Sequence, residues 1–159
     1  MNSIVLGDRT EETVRIYFEQ AQKTSIKSML PQKATTVEEA IADYHETLLP
    51  TATSYGKTIL ADGTYVGDIW CYCIDKTDTP NAMLSYCVFD ESSWNKGIAT
   101  SATLLFLKEI KNKYNLESIG AFTFSDNLAS IKVLEKSGFE LIETFEEDGR
   151  ESKYYQIGL

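Results

Sequence analysis

The chain has 159 residues, with 15 Lys and Arg against 24 Asp and Glu, for a formal net charge of −9. Charged residues at 25% and hydrophobic ones at 43% exclude the disordered and collagen-like classes, and a chain of this length buries roughly two-thirds of its unfolded surface without staples. The acid surplus argues against a nucleic-acid partner, whose reader carries a basic footprint.

In chain order, Met1 to Thr10 has neither the basic nor the apolar region of a secretory leader. Asp8 to Gln22 is predicted as a helix, with Val14, Tyr17, Phe18 and Ala21 at helical spacing. Thr36-Val37-Glu38-Glu39 has the form of a capping box opening a second helix that stops before Pro50. Ser54–Ala61 and Thr64–Ile74 are predicted strands joined by the hairpin signal Asp62-Gly63, and Ala82–Phe89 is the next strand. Gly97–Tyr114 turns helical, Ser118–Ser125 is a strand, and Leu128–Ser137 is a helix closed by Gly138. Two more strands follow, Phe139–Phe145 and Lys153–Ile157. The pattern is α+β, with a strand-helix-strand-helix heart from Ala82 to Gly138. No repeat or linker interrupts it, so residues 1–159 are expected to form one domain. No stretch approaches about 18 uninterrupted apolar residues, so no membrane span is expected. Three cysteines, Cys71, Cys73 and Cys87, are an odd number in a chain with an ample core, which points to reduced thiols and a cytoplasmic location.

Chemistry concentrates at two junctions. The first is the polar turn Ser92-Ser93-Trp94-Asn95-Lys96-Gly97-Ile98-Ala99-Thr100, between a strand and the long helix. Asn95 and Gly97 tolerate left-handed backbone. The free N–H groups of a helix start, with Lys96 and the Thr100 hydroxyl, are equipped to hold a phosphate or pyrophosphate. The same residues would also serve as a bare strand-to-helix turn. Neither a Walker loop nor a G-x-G-x-x-G fingerprint is present. The second junction runs from Asn127 to Phe139, where Asn127 is placed to cap the helix and Ser130 to face the same crevice. Taken alone, the stretch reads first as a plain helix, with Asn127 as its cap, Ser130 bonding back to the helix and Gly138 as the C′ residue.

Together the two stretches resemble the GNAT (N-acetyltransferase) superfamily. Its pyrophosphate loop has the form Q/R-x-x-G-x-G/A, and Trp94-Asn95-Lys96-Gly97-Ile98-Ala99 matches from the glycine onward. Trp94 in the Q/R place is similar to the branch acetylating ribosomal-protein N-termini, which often reads W-G-K-G. That branch also favours N-x-x-S-x-x-V-L-E-K-x-G-F, matched at every specified position from Asn127 to Phe139. The resemblance covers roughly Thr64 to the C-terminus.

The resemblance implies a mixed, mostly antiparallel sheet flanked by helices and splayed at the cofactor strand. It implies acetyl-CoA as co-substrate and no metal. Backbone near Cys87, Val88 and Phe89 would pair with the pantetheine arm, and the amides of Asn95, Lys96, Gly97, Ile98, Ala99 and Thr100 would hold the pyrophosphate. Asn127 would contact the arm and Ser130 would lie near the sulfur. Two positions depart from the family pattern: the Glu base of some relatives is Phe122 here, and the Tyr acid of many is Leu134. Ser130 is left as the leaving-group donor, with Glu91, or a water held by Tyr86, as the base.

Competing chemistry is weaker. Cys87 as an acyl-carrying nucleophile would need a base, and the one histidine, His45, falls in the predicted second helix. Cys71-x-Cys73 lacks zinc-knuckle spacing. The acids around Asp148-Gly149 form either a solvated hairpin or an approach surface for a cationic amine, and Tyr154 and Tyr155 either line an amine pocket or alternate in a strand. The expected partner is an amine, as a peptide N-terminus or a small polyamine or aminoglycoside-like molecule, with the protein a monomer or homodimer. A non-catalytic acyl-CoA-binding module is the other class that these motifs admit.

Overall fold

The computed structural model describes residues 3–159; Met1 and Asn2, at the head of the expected domain, lie outside the described residues. β1 (Ile4–Gly7) opens the chain and pairs antiparallel with β2 (Tyr55–Ala61). Four residues are too few to show a period, so this strand is not apparent from the sequence. α1 spans Glu11–Gln20, three residues shorter at its start than predicted. Thr10 stops it there: its hydroxyl accepts from the Thr13 N–H at 3.1 Å, and Thr13 Oγ1 accepts from the Thr10 N–H at 2.9 Å. α2 (Thr24–Lys27) is a single turn. α3 (Val37–Glu46) forms half of the expected box. Thr36 accepts from the Glu39 N–H, but the Glu39 carboxylate turns to the N–H and hydroxyl of Thr35.

β3 (Thr64–Asp75) returns from β2 through Asp62 and Gly63, both left-handed as the tight turn requires. β4 (Asn81–Val88), α4 (Ile98–Tyr114), β5 (Ser118–Phe124), α5 (Leu128–Lys136), β6 (Glu140–Glu147) and β7 (Arg150–Gly158) complete the chain. The sheet order is β1-β2-β3-β4-β5-β7-β6. Every neighbouring pair is antiparallel except β4 with β5, which α4 connects.

Alternation along the strands divides the apolar residues between two cores. Ile59, Ile69, Leu84, Ile119 and Tyr155 gather with Phe106 and Ile110 of α4 and Leu134 of α5. On the opposite side, Tyr17 and Ala21, with Ile26, pack against Cys87 and Phe89. β5, β7 and β6 contribute nothing to that second core, and Phe122 of β5 remains exposed. Two-sided packing holds β4 firmly along its length while one of its edges comes free.

Candidate active site

That free edge begins where β4 and β5 part. They pair only through Asn81–Ser118, Ala82–Ile119 and Met83–Gly120, although β4 continues to Val88 and β5 to Phe124. Which backbone groups face the gap follows from ladder parity. Phe89 N–H donates to the Val66 carbonyl and Val88 stands opposite Gly67, so Cys87 and Phe89 direct their backbone groups toward β3. The N–H and C=O of Tyr86 and Val88 therefore point into the splay. Of the three strand residues expected to meet a pantetheine arm, only Val88 turns its main chain that way.

Beyond β4, Asp90 accepts from the Ser92 N–H and from the Ser92 and Ser93 hydroxyls, fixing a 3₁₀ turn over Glu91–Ser93. Those bonds hold the Asp90 acid below the usual carboxylate range. Trp94 ties the turn back to the splay, its indole N–H donating to the Val88 carbonyl at 2.6 Å. Asn95 (φ 61°) and Gly97 (φ 78°) then take left-handed backbone. No side chain caps α4, and its first returning bond runs from the Ser101 N–H to the Gly97 carbonyl. The N–H groups of Ile98, Ala99 and Thr100 are thus donors with no helical partner, at the positive end of the helix. Ile98 is buried and anchors the turn, while Lys96 and Gly97 are exposed.

Across the splay stands α5. Asn127 caps it, Oδ1 accepting from the Ser130 N–H at 3.2 Å. The Ser130 hydroxyl does not bond back to its own helix; it meets the Tyr86 hydroxyl of β4 at 2.9 Å. Burial pushes the Tyr86 phenol up to about 12, against the lowering effect of Ser130. This pairing, between residues 44 apart, closes one side of the splay with two hydroxyls.

Other candidates lie apart from this pair. Glu91 sits on the 3₁₀ turn, where its carboxylate accepts from the Ser25 hydroxyl at 2.6 Å. Cys87 faces the second core, and burial pushes its thiol up to about 12, opposite to what a nucleophilic thiolate needs. His45 is exposed against Glu11. Among the described residues no group of three His, Cys, Asp or Glu could hold a metal, and no helix is long and apolar enough to cross a membrane. Tyr155 is buried in the first core while Tyr154 takes the other face. There Arg150 stacks on Phe124 at 3.5 Å, donates to the Ser28 carbonyl and pairs with Asp126, bridging the segment after α2 to β7.

A cavity of about 560 Å³ lies elsewhere, lined by Arg9, Tyr44, Tyr55, Lys57, Lys113 and Tyr114 among others. None of the loop, splay or α5 residues lines it. A second, of about 220 Å³, lies beside Lys96 and Ile98 at the foot of the loop. An open strand gap is a groove rather than a cavity, so volume is the poorer guide here.

Solved structures that share this fold include three acetyltransferases. One is the aminoglycoside acetyltransferase AAC(6')-Ib in complex with coenzyme A, 18% identical over 98% of this chain and 95% of that one, with a TM-score of 0.82. RimL, a ribosomal-protein alpha-N-acetyltransferase in complex with coenzyme A, is 18% identical over 99% and 94%, with a TM-score of 0.82. Spermidine N-acetyltransferase from Vibrio cholerae, in complex with CoA and spermine, is 15% identical over 98% and 95%, with a TM-score of 0.84. No curated protein matches. The acetyltransferase (GNAT) domain family matches residues 8–140, which takes in the splayed strands, the left-handed loop and all of α5. The chain belongs to the GNAT acetyltransferases, enzymes that take their acetyl group from acetyl-CoA.

Proposed function

We propose that the protein transfers the acetyl group of acetyl-CoA to a primary amine, a protein N-terminal α-amine in preference to others, by direct attack in a ternary complex. The amides of Asn95 to Thr100 are suited to the pyrophosphate. The Tyr86 backbone groups and the Val88 N–H are suited to the pantetheine arm, and the side-chain NH2 of Asn127, whose Oδ1 caps α5, to its neighbouring polar atoms. Trp94, bonded to Val88, fixes the spacing between loop and splay. A strand N–H aimed into the splay would stabilise negative charge developing on the thioester oxygen; losing such a donor typically costs about 10²–10³ in kcat.

In the reaction the amine nitrogen forms a bond to the acetyl carbon, the carbon–sulfur bond breaks, the nitrogen gives up a proton to solvent water and the thiolate gains one. Ser130, backed by Tyr86, is the candidate to serve the sulfur, a reading supported by the pairing of their hydroxyls beside the splay. A phenol at about 12 is a weaker acid than an ordinary thiol at about 8.5. The two hydroxyls therefore stabilise the leaving thiolate by hydrogen bonding, and its proton comes from solvent.

One observation carries the choice of acceptor: among the described residues, neither Tyr86 nor Ser130 bonds to a carboxylate or histidine. Without a strong base beside the pair, the amine must arrive largely neutral. An α-amine, at about 7.7–8.0, supplies roughly 250-fold more free base near neutrality than an alkylamine at about 10.4. The test is thiol release from acetyl-CoA with free-N-terminal peptides, N-blocked peptides and polyamines. Peptides with free N-termini should turn over with kcat/KM levelling near pH 8, and Ser130→Ala should lower kcat while leaving CoA affinity intact. Faster turnover of polyamines, or of blocked peptides through lysine, would contradict the α-amine preference.

A further inference from the structure

Tyr154 stands at the root of the splay on the face away from Ser130. A Cβ built on Gly120, the last β5 residue paired with β4, would lie 2.5 Å from the Tyr154 hydroxyl oxygen and 3.0 Å from the Met83 sulfur. The missing side chain at Gly120 is thus the seat of the Tyr154 phenol, which reaches diagonally from β7 to where β4 and β5 part. Among the described residues the Tyr154 hydroxyl has no hydrogen-bond partner, which is also true of Tyr17 in the second core; what sets Tyr154 apart is its place at the root of the splay. Around it the sheet face is aromatic. The Phe122 ring lies 5.0 Å from that of Tyr154 and 5.8 Å from that of Phe145, and Phe122 is 54% exposed because the second core stops at β4. Glu143 pairs with Tyr154 across β6 and shares its face.

We infer that Tyr154 binds the acceptor amine, and that the Phe122–Phe145–Tyr154 surface beside it takes the acceptor's first side chain, so that the preferred acceptor is a peptide beginning with an apolar residue. This rests on the acetyltransferase reading. The geometry gives the reaction two sides: Tyr86 and Ser130 attend the sulfur from the α5 face, and the amine enters from the opposite face. There the phenol oxygen accepts one amine N–H and leaves the nitrogen lone pair aimed into the splay. Glu143 makes this face acidic, which concentrates cationic peptides near it, and the α-amine that reacts is their neutral fraction. The aromatic surface supplies contact area that a densely charged sugar or polyamine does not use. Residue type alone does not separate Tyr154 from Tyr155; the strand face does.

The experiment is peptide binding to the CoA-loaded protein, where no acetyl group is present to react, alongside steady-state kinetics with acetyl-CoA. Peptides beginning with Met, Gly or Asp serve as probes. The Met-first peptide should bind tightest, and Phe122→Ala should erase its advantage over the Gly-first peptide. Tyr154→Phe, which keeps the ring, should weaken peptide binding and raise the acceptor KM about tenfold, as the loss of one hydrogen bond to a charged or polar group does, with CoA affinity and Tm unchanged. Gly120→Ala, which displaces the phenol, should likewise weaken peptide binding and spare CoA affinity, with a lowered Tm from the crowding. Equal peptide affinity in wild type and Tyr154→Phe, or a matching loss of CoA affinity, would overturn the assignment. Peptide binding that depends on Tyr154 without any acetyl transfer would uphold this site and overturn the enzymatic reading instead.

Discussion

A Cβ at Gly97 would meet no atom within 4 Å, so the cost of any substitution there is conformational, through φ of 78°. Gly97→Ala should destabilise the protein by about 1–2 kcal/mol in denaturant unfolding and, by setting a methyl where a phosphate approaches, weaken CoA binding at least tenfold by calorimetry. Unchanged CoA affinity would remove the loop from the site. Asn95 takes the same left-handed region where the resembling branch often has glycine, and its short polar side chain is the type that tolerates it. These positions were legible from residue type and spacing. The Tyr86–Ser130 bond was not, because nothing in a linear chain says which strand residue faces a hydroxyl 44 positions away.

β3 carries a charge into the second core. Asp68 is almost wholly buried, accepts from the Tyr65 hydroxyl at 2.6 Å, and has the Arg9 guanidinium 3.4 Å away. Burial raises its acid to about 6, against the lowering effects of Arg9 and Tyr65. A carboxyl whose folded value lies above its unfolded value of 3.8 binds protons more tightly when folded. Its contribution to stability therefore grows as pH falls from about 6 to about 4 and is lost as pH rises through that window. Relative to Asp68→Asn, wild-type unfolding free energy should increase over that fall in pH, and a difference independent of pH would refute the assignment. The long helices and the β2–β3 hairpin were legible because each spans several periods or carries a specific turn signal. β1 was not, being a short run whose partner lies more than 50 residues on. The splay was foreseeable only through family resemblance, since composition and periodicity do not say where two strands part.

Across the whole molecule, the charge of −9 is distributed differently from its order along the chain. Lys96, Lys108, Lys111 and Lys113 form one basic segment in sequence, yet α4 is about 25 Å long and sets only Lys96 beside the loop, with Lys111 and Lys113 at its far end. On the reading proposed above, attraction of a polyanionic cofactor therefore falls on Lys96, the helix start and the loop amides rather than on a lysine cluster. Lys113 instead lies over the rings of Tyr55 and Tyr114, at the cavity away from the splay. Acids on β6 and the hairpin that follows border the face assigned to the amine, so the two sides of the reaction carry opposite signs. On the proposed function, the open edge of β4 and the start of α4 hold acetyl-CoA. Residue-resolved amide hydrogen exchange with and without CoA tests it most directly. Protection should rise at the amides of Tyr86 and Val88 and from Asn95 to Thr100, with little change around Tyr55, Lys57 and Tyr114. Protection confined to that second group, or unchanged along β4, would contradict it.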